Sequence, residues 1–329
     1  MSRLRSAWAR WVALTSRTET GETVAIFRIL VGLGLVFTVT GAWSSGAWEF
    51  AWVPIEDGGY RTLKATWLVE LLGGPSRALA RALMVGSLAT GAMLSLGIGG
   101  RATALVALQC YLPLTRLNTH TGGSYEHLLT NSLWLCVLAG CTATWSLDCR
   151  LGTGRWSSDK RVGSWQRWLI VLQLVLVYGS TGLQKMGSSW TPIGGFSAMY
   201  DALSDPMWAR WELPWLGWFG PVLAVGTALV WCFEISWVFY PGWWWLRRTE
   251  RPLTGRLGRM AAWARRWDLR PLLVGFGASM HLGIFVTMSV ATFSWITVSL
   301  YVALWRPEEW RRFAGRVRGR RSETADRVW

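Results

Sequence analysis

Charge is scarce in this sequence. Only 16% of its 329 residues are Asp, Glu, Lys or Arg, against roughly 25% in soluble domains, which excludes a water-soluble globular enzyme. Acidic residues are the scarcer kind: 19 stand against 34 Lys and Arg, for a net charge of +15. Lysine is nearly absent, with Lys64, Lys160 and Lys185 the only three among those cations. The five cysteines show neither a CxxC nor a Cys/His ligand spacing, so neither a disulfide framework nor a metal site is predicted. There is no internal repeat, no low-complexity tract and no linker long enough to separate two domains. No cleavable signal peptide is expected, because the first 20 residues are polar and Arg-bearing and the first apolar run is long enough to remain as an anchor.

What is abundant is apolar. Hydrophobic residues make up 51% of the chain, and 27 residues are Trp. A helix needs about 20 mostly apolar residues to cross a bilayer. Eight stretches qualify: 22–43, 78–98, 102–119, 126–145, 166–185, 215–243, 270–288 and 290–305. The sequence thus predicts an all-α polytopic membrane protein, a bundle of about eight transmembrane helices. A cytoplasmic amphipathic segment (1–21) precedes the bundle (22–305), and a basic cytoplasmic tail (306–329) follows it.

Loop cations set the orientation. With the N-terminus inside, 26 Lys and Arg fall in cytoplasmic segments and 4 in outer ones. The positive-inside rule then places both termini in the cytoplasm, with the protein in the cytoplasmic (inner) membrane. The basic excess needs no nucleic acid, since anionic lipid at the cytoplasmic face is partner enough. Three cytoplasmic stretches look amphipathic and are expected in the headgroup plane. They carry Leu4, Trp8 and Trp11; Leu257, Met260, Ala261, Ala264 and Trp267; and Trp310, Phe313 and Val317. Trp243, Trp244 and Trp245 read as an inner belt, and Trp190, Trp208, Trp211, Trp215 and Trp218 as an outer one. The outer segments 44–77 and 186–214, rich in Gly, Pro and Trp, suit lid-like or re-entrant pieces.

Ionisable residues inside a bilayer are costly unless paired, and each calls for a reason. Arg28 and Glu234 are expected to form a structural ion pair. His281 reads either as a satisfied core imidazole or as a site residue. Lys185, at the end of the fifth stretch, is the most informative. In so Arg-rich a sequence, a cation wanted only for its charge would be Arg. A desolvated lysine can shed its proton and act as a general base, which arginine cannot. Tyr178, Thr181, Gly182 and Lys185 share one helical face, where Gly182 admits a neighbouring helix or a flat ligand. The competing reading is a lysine that snorkels to the headgroups.

The stretch Tyr178-Gly-Ser-Thr-Gly-Leu-Gln-Lys185-Met-Gly-Ser-Ser-Trp190, followed by Gly194 and Gly195, resembles a known segment. It is similar to the Y-x-x-x-G-x-x-K-(L/M)-x-x-x-W pattern of the vitamin K-dependent gamma-carboxylase and its bacterial relatives, the HTTM (horizontally transferred transmembrane) family. Phe27-Arg28-Ile29, Gly122-Gly123, Ser146-Leu147-Asp148, Glu234, His281 and Phe293-Ser294 match further pieces in the same order. The resemblance covers roughly residues 20–310. It implies that Lys185 is the base that deprotonates a reduced isoprenoid quinone of the vitamin K type, with His120 or His127 assisting. Tyr178, Gly182 and Trp190 would then contact that cofactor. In the carboxylase, the quinol reacts with oxygen, and the strong base so formed removes a proton from a glutamate side chain, which adds carbon dioxide. Two features depart from the family's pattern. The carboxylase's large lumenal domain is expected to have no counterpart, and its Asn-His pair is not matched by Gly122-Gly123-Ser124, although Asn118, His120 and His127 lie nearby. The leading reading is a quinone-linked enzyme acting at the outer membrane face, of the gamma-carboxylase lyase and epoxidase type. Its rivals are a non-catalytic accessory that matures or exports a secreted, toxin-type peptide, and a transporter.

Overall fold

In the computed structural model, residues 2–118, 120–249 and 252–325 are described, without the side chains of residues 2–4, 7, 10, 11, 14 and 317–325. Leu4, Trp11 and Val317 of the expected amphipathic faces therefore lie outside the described residues. The chain is helical almost throughout. It opens with α1 (Ser2–Thr15), a short strand β1 (Thr18–Thr20), α2 (Glu22–Ser44), α3 (Ala47–Trp52) and α4 (Trp67–Leu71). Then come α5 (Arg77–Leu96), α6 (Gly100–Leu117), α7 (Ser124–Leu138), α8 (Leu147–Thr153) and β2 (Arg161–Gly163). Next are α9 (Trp165–Gln184), α10 (Ala198–Ser204), α11 (Gly220–Ser236), α12 (Tyr240–Arg248) and α13 (Gly255–Arg266). The last helices are α14 (Arg270–Thr287), α15 (Phe293–Leu300) and α16 (Pro307–Ala325). The chain divides into two compact units, Met1–Ile170 with Ala291–Trp329, and Val171–Val290.

The first unit is built around α2, which packs on α5, α7, α15 and α16, while α6 packs between α5 and α7. α2 is apolar all round, as a helix surrounded by others must be. Its closest approach to α5 depends on Gly32, where a Cβ would come within 2.6 Å of the Gly91 carbonyl oxygen. Small residues at such a crossing let two backbones touch, which drives helix packing where water supplies no force. α5 starts on a Ser76 cap, whose hydroxyl accepts from Leu79 N at 3.1 Å, and ends at Gly97 with φ 77°. One small feature was not visible in the sequence. β1 and β2 pair antiparallel, Glu19 opposite Val162, and tie the entry of α2 to the entry of α9. Arg167 completes this tie by bonding Glu19 at 2.9 Å and the Ala303 carbonyl at 3.2 Å. Arg311 on α16 adds contacts to Glu22 and to Asp159.

In the second unit, residues 216–248 form one continuous helical run that includes α11 and α12. α11 packs on α10 and α14, and α12 packs on α13. The single apolar face expected along 255–267 splits in two. Ala261 and Ala264 are buried, whereas Leu257, Met260, Trp263 and Trp267 are exposed. The alanines are small enough for the α12 contact, which leaves the large apolar side chains facing outward among arginines.

Among the described residues, four helices are long and apolar enough to cross a membrane: Glu22–Ser44, Arg77–Leu96, Leu216–Arg248 and Arg270–Thr287. The other four expected spans fall on α6, α7, α9 and the helical stretch Phe293–Leu304, which are shorter or less apolar.

Candidate functional site

Lys185 follows the last residue of α9, and its backbone N–H still donates to the Thr181 carbonyl at 3.1 Å. One turn earlier, Gly182 carries the crossing of α9 with α11. A Cβ there would lie 2.8 Å from Ile235 N and 2.9 Å from the Glu234 carbonyl carbon. Trp231 locks the same crossing by donating its indole N–H to the Gly182 carbonyl at 3.1 Å. With the backbones this close, Glu234 is delivered to Lys185, and Nζ meets Oε1 at 2.6 Å. The Glu234 side chain is 7% exposed and that of Lys185 23%. The second carboxylate oxygen, Oε2, is buried and accepts no hydrogen bond among the described residues. The Thr181 hydroxyl, which donates to the Val177 and Tyr178 carbonyls at 2.8 and 3.1 Å, also acts on this carboxylate.

A compact loop covers the amine. Lys185 Nζ stands 4.2 Å from the centre of the Trp190 ring, a cation–π arrangement. Trp190 is held by two consecutive 3₁₀ turns, Ser188–Trp190 and Pro192–Gly194, which fold back so tightly that a Cβ on Gly194 would meet the Ser188 carbonyl oxygen at 2.5 Å. Gly195 then takes φ 66°, and Phe196, with a full side chain, takes φ 56°. A bulky residue in the left-handed region is strained, and strain of this kind gathers at functional sites. The Phe196 ring lies beside Trp231, 6.5 Å between centres.

Two turns back along the same α9 face, Tyr178 bonds His281 Nε2 at 2.7 Å. Its ring stacks on Trp237 at 5.3 Å and meets Phe233 edge-on at 5.1 Å. Both members of the pair are buried. The space expected for a flat ligand at Tyr178 and Gly182 is thus filled by aromatic rings and by the backbone of α11. Of the three residues expected to contact a cofactor, Trp190 alone stands over Lys185.

The expected Arg28–Glu234 pair gives way to two separate arrangements. Glu234 has Lys185. Arg28, fully buried in α2, donates to the Leu94, Ser95 and Trp145 carbonyls at 2.5, 3.0 and 2.7 Å. The last carbonyls of a helix have no partner inside it, and Leu94 and Ser95 end α5, so a guanidinium there meets a need that a carboxylate cannot. Trp145 joins them from a left-handed conformation, φ 48°. His120 and His127 lie in the first unit and are exposed. The His120 backbone N–H donates to Asn118 Oδ1 at 3.1 Å. Sequence reasoning passed over Trp231, although its position one turn before Glu234 on α11 was a usable signal. Nothing in the sequence marks the strained backbone of Phe196.

The HTTM domain model matches residues 16–239. That span runs from the approach to β1 through α11 and contains Arg28, Tyr178, Gly182, Lys185, Trp190 and Glu234. No curated protein and no solved structure matches the chain. A match over more than half of the sequence, on a helical membrane fold, is sufficient, and the chain belongs to the HTTM domain family.

Proposed function

We propose that this membrane protein is a quinone-linked enzyme in which Lys185 acts as general base at the outer membrane face. The reading rests on one observation, the Lys185–Glu234 contact at 2.6 Å beneath the Trp190 ring. Two opposite charges held in an apolar setting are expensive. Transfer of one proton from the ammonium to the carboxylate removes both charges and frees the amine to act as a base. Glu234 thereby holds Lys185 in place and takes the proton that makes it reactive. Trp190 shields the amine from water and offers a flat face.

This donor set suits a hydroquinone. An amine, a carboxylate and an indole face can together take up an aromatic hydroxyl. When bound, a reduced isoprenoid quinone would supply an ionisable hydroxyl and two electrons. Lys185 would accept the hydroxyl proton, Glu234 would hold the amine, and Trp190 would orient the ring. Tyr178 and Gly182 are engaged elsewhere, and the exposed His120 and His127 carry no part of this reading. The likeness of the Lys185 segment to the gamma-carboxylase extends it to carboxylation or epoxidation chemistry, with a secreted peptide as the substrate that meets the outer face.

The same reading takes all eight apolar helices as spans in the cytoplasmic membrane, with both termini inside. The 26 to 4 division of loop cations supports it. The exposed Leu257, Met260 and Trp267 beside the arginines of α13 suit anionic headgroups at the inner face. Mass spectrometry of lipids that co-purify with the protein tests the central claim. A prenylated quinone retained by the wild type and lost from Lys185→Ala is the expected result, and purified protein free of any quinone overturns it.

A further inference from the structure

The junction between the last apolar helix and α16 holds a cavity that has no part in that reading. The apolar run Phe293–Leu304 stops at Trp305, which is extended, with ψ 147°, and Pro307 opens α16. Trp310 fixes the bend by donating its indole N–H to the Val302 carbonyl at 3.2 Å. Beside the bend lies a cavity of about 430 Å³, lined by Trp305, Glu309, Trp310, Arg312, Phe313 and Arg316. Small-molecule sites have volumes of roughly 300–1,000 Å³. Glu309, Arg312, Phe313 and Arg316 fall at i, i+3, i+4 and i+7, one face of α16. The rings do not close into a flat stack. Trp310 stands at 62° to Trp305, 6.0 Å between centres, and at 90° to Phe313, at 6.4 Å. Rings at such angles wall a corner, and their π-electrons attract a cation. Glu309 adds a negative charge to that corner, whereas Arg312 and Arg316 bring the forked donors that suit a phosphate. An anion alone would answer the arginines and be repelled by the carboxylate. A cation alone would meet the reverse.

We propose that this cavity binds a membrane phospholipid whose headgroup carries both a phosphate and an ammonium. The ammonium lies against the three rings and Glu309, and the phosphate meets Arg312 and Arg316. Position argues for a lipid over a soluble ligand. An apolar helical run leads directly to the cavity, tryptophan gathers where membrane meets water, and Phe313, 62% exposed, carries the apolar surface outward. The general pull of basic segments on anionic lipid would favour the more negative headgroup. This cavity selects the zwitterionic one.

The full chain in detergent is mixed with equal amounts of palmitoyl-oleoyl phosphatidylethanolamine and palmitoyl-oleoyl phosphatidylglycerol, and retained lipid is counted by native mass spectrometry. The two lipids share their acyl chains and phosphate and differ in the ammonium. Phe313→Ala removes an exposed ring at little risk to the fold. Glu309→Gln removes the charge and keeps an oxygen for the Arg306 N–H, which Glu309 accepts at 2.7 Å. Each substitution should lower the ratio of retained ethanolamine lipid to glycerol lipid by about fivefold. An unchanged ratio in either variant overturns the proposal. Glycerophosphoethanolamine, which has the headgroup without the chains, should leave the lipid bound when added in equal amount. Displacement of the lipid by it would overturn the membrane source. None of these readouts involves Lys185, so the outcome is independent of the catalytic reading.

Discussion

Gly182 and Glu234 are in backbone contact, so close that a Cβ on Gly182 would stand 2.9 Å from the Glu234 carbonyl carbon and 2.8 Å from Ile235 N. The obstacle is main chain and cannot rotate away. Gly182→Ala should therefore push α9 from α11, at a cost of about 1–3 kcal/mol. Thermal melting of the detergent-solubilised protein measures it. Gly187→Ala, where a Cβ meets nothing within 4 Å, serves as the control and should melt as wild type. Equal melting of the two variants would show that this crossing is looser than the structure has it.

Arg28 offers a second test of stability. Arg28→Met leaves the Ser95 and Trp145 carbonyls without their donor, and the Leu94 carbonyl with the Gly97 N–H alone. Each orphaned acceptor costs about 1–3 kcal/mol, so the monodisperse yield on size-exclusion chromatography should collapse. Arg28→Lys should recover only part of it, because an ammonium lacks the planar fork that reaches several acceptors at once. A wild-type yield from Arg28→Met would mean that water or another group serves those carbonyls.

These two sites show what the sequence could and could not reveal. The runs 22–43, 78–98 and 270–288 were legible because length and apolarity alone specify them, and they became α2, α5 and α14. The α9 face of Tyr178, Gly182 and Lys185 was legible from helical spacing. The partners were not. Charge logic pairs Arg28 with the nearest lonely carboxylate, but a guanidinium is equally satisfied by the carbonyl end of a helix, and where that end lies is a matter of tertiary packing. Gly182 announced a close approach without saying that α11, rather than a ligand, would make it. The strands β1 and β2, three residues each, are too short for any alternation of apolar and polar residues to show.

A pH dependence is expected where α12, α13 and α14 meet. Asp268 receives Arg270 at 2.7 Å and Arg247 at 3.7 Å. Burial alone would raise its carboxyl, but the Arg270 side-chain and backbone hydrogen bonds and the two positive charges more than offset this and hold it below the usual carboxylate range. A carboxylate depressed by folding contributes stability above its unfolded pKa, about 3.9. That contribution fades as pH falls through the lower folded value. Hydrogen exchange in the 247–270 region, corrected for the intrinsic pH dependence of amide exchange, should thus be steady down to about pH 4 and accelerate below it. Asp268→Asn should exchange faster at neutral pH and lose the acid-dependent rise. A rise of the same size in both would assign it to another group.

Orientation is tested by reporters inserted in loops. A reporter after residue 155 or residue 255 should read cytoplasmic, since both points lie among the arginines of the proposed inner face, and one near residue 200 should read external. A cytoplasmic reading at 200 would place the Lys185 loop on the wrong side and defeat both the orientation and the outward-facing site.

Lys185 itself gives the sharpest test. If it is only an anchor, the position needs a cation that pairs with Glu234 and rests on Trp190, and Arg can do both. Lys185→Arg would then keep full function, and Lys185→Ala would cost a little stability. If it is a base, the position needs a group that can lose a proton, and Arg cannot. Lys185→Arg and Lys185→Ala should then both abolish the function, with folding nearly intact because the side chain ends a helix and is partly exposed. Glu234→Gln separates the roles further. It keeps the shape but removes the group that takes the ammonium proton, so function should fall while Lys185 stays in place through a neutral hydrogen bond. Quinol oxidation by the purified protein, or whatever phenotype its deletion gives the host, supplies the readout. A fully active Lys185→Arg protein would end the catalytic reading, whatever Glu234→Gln did.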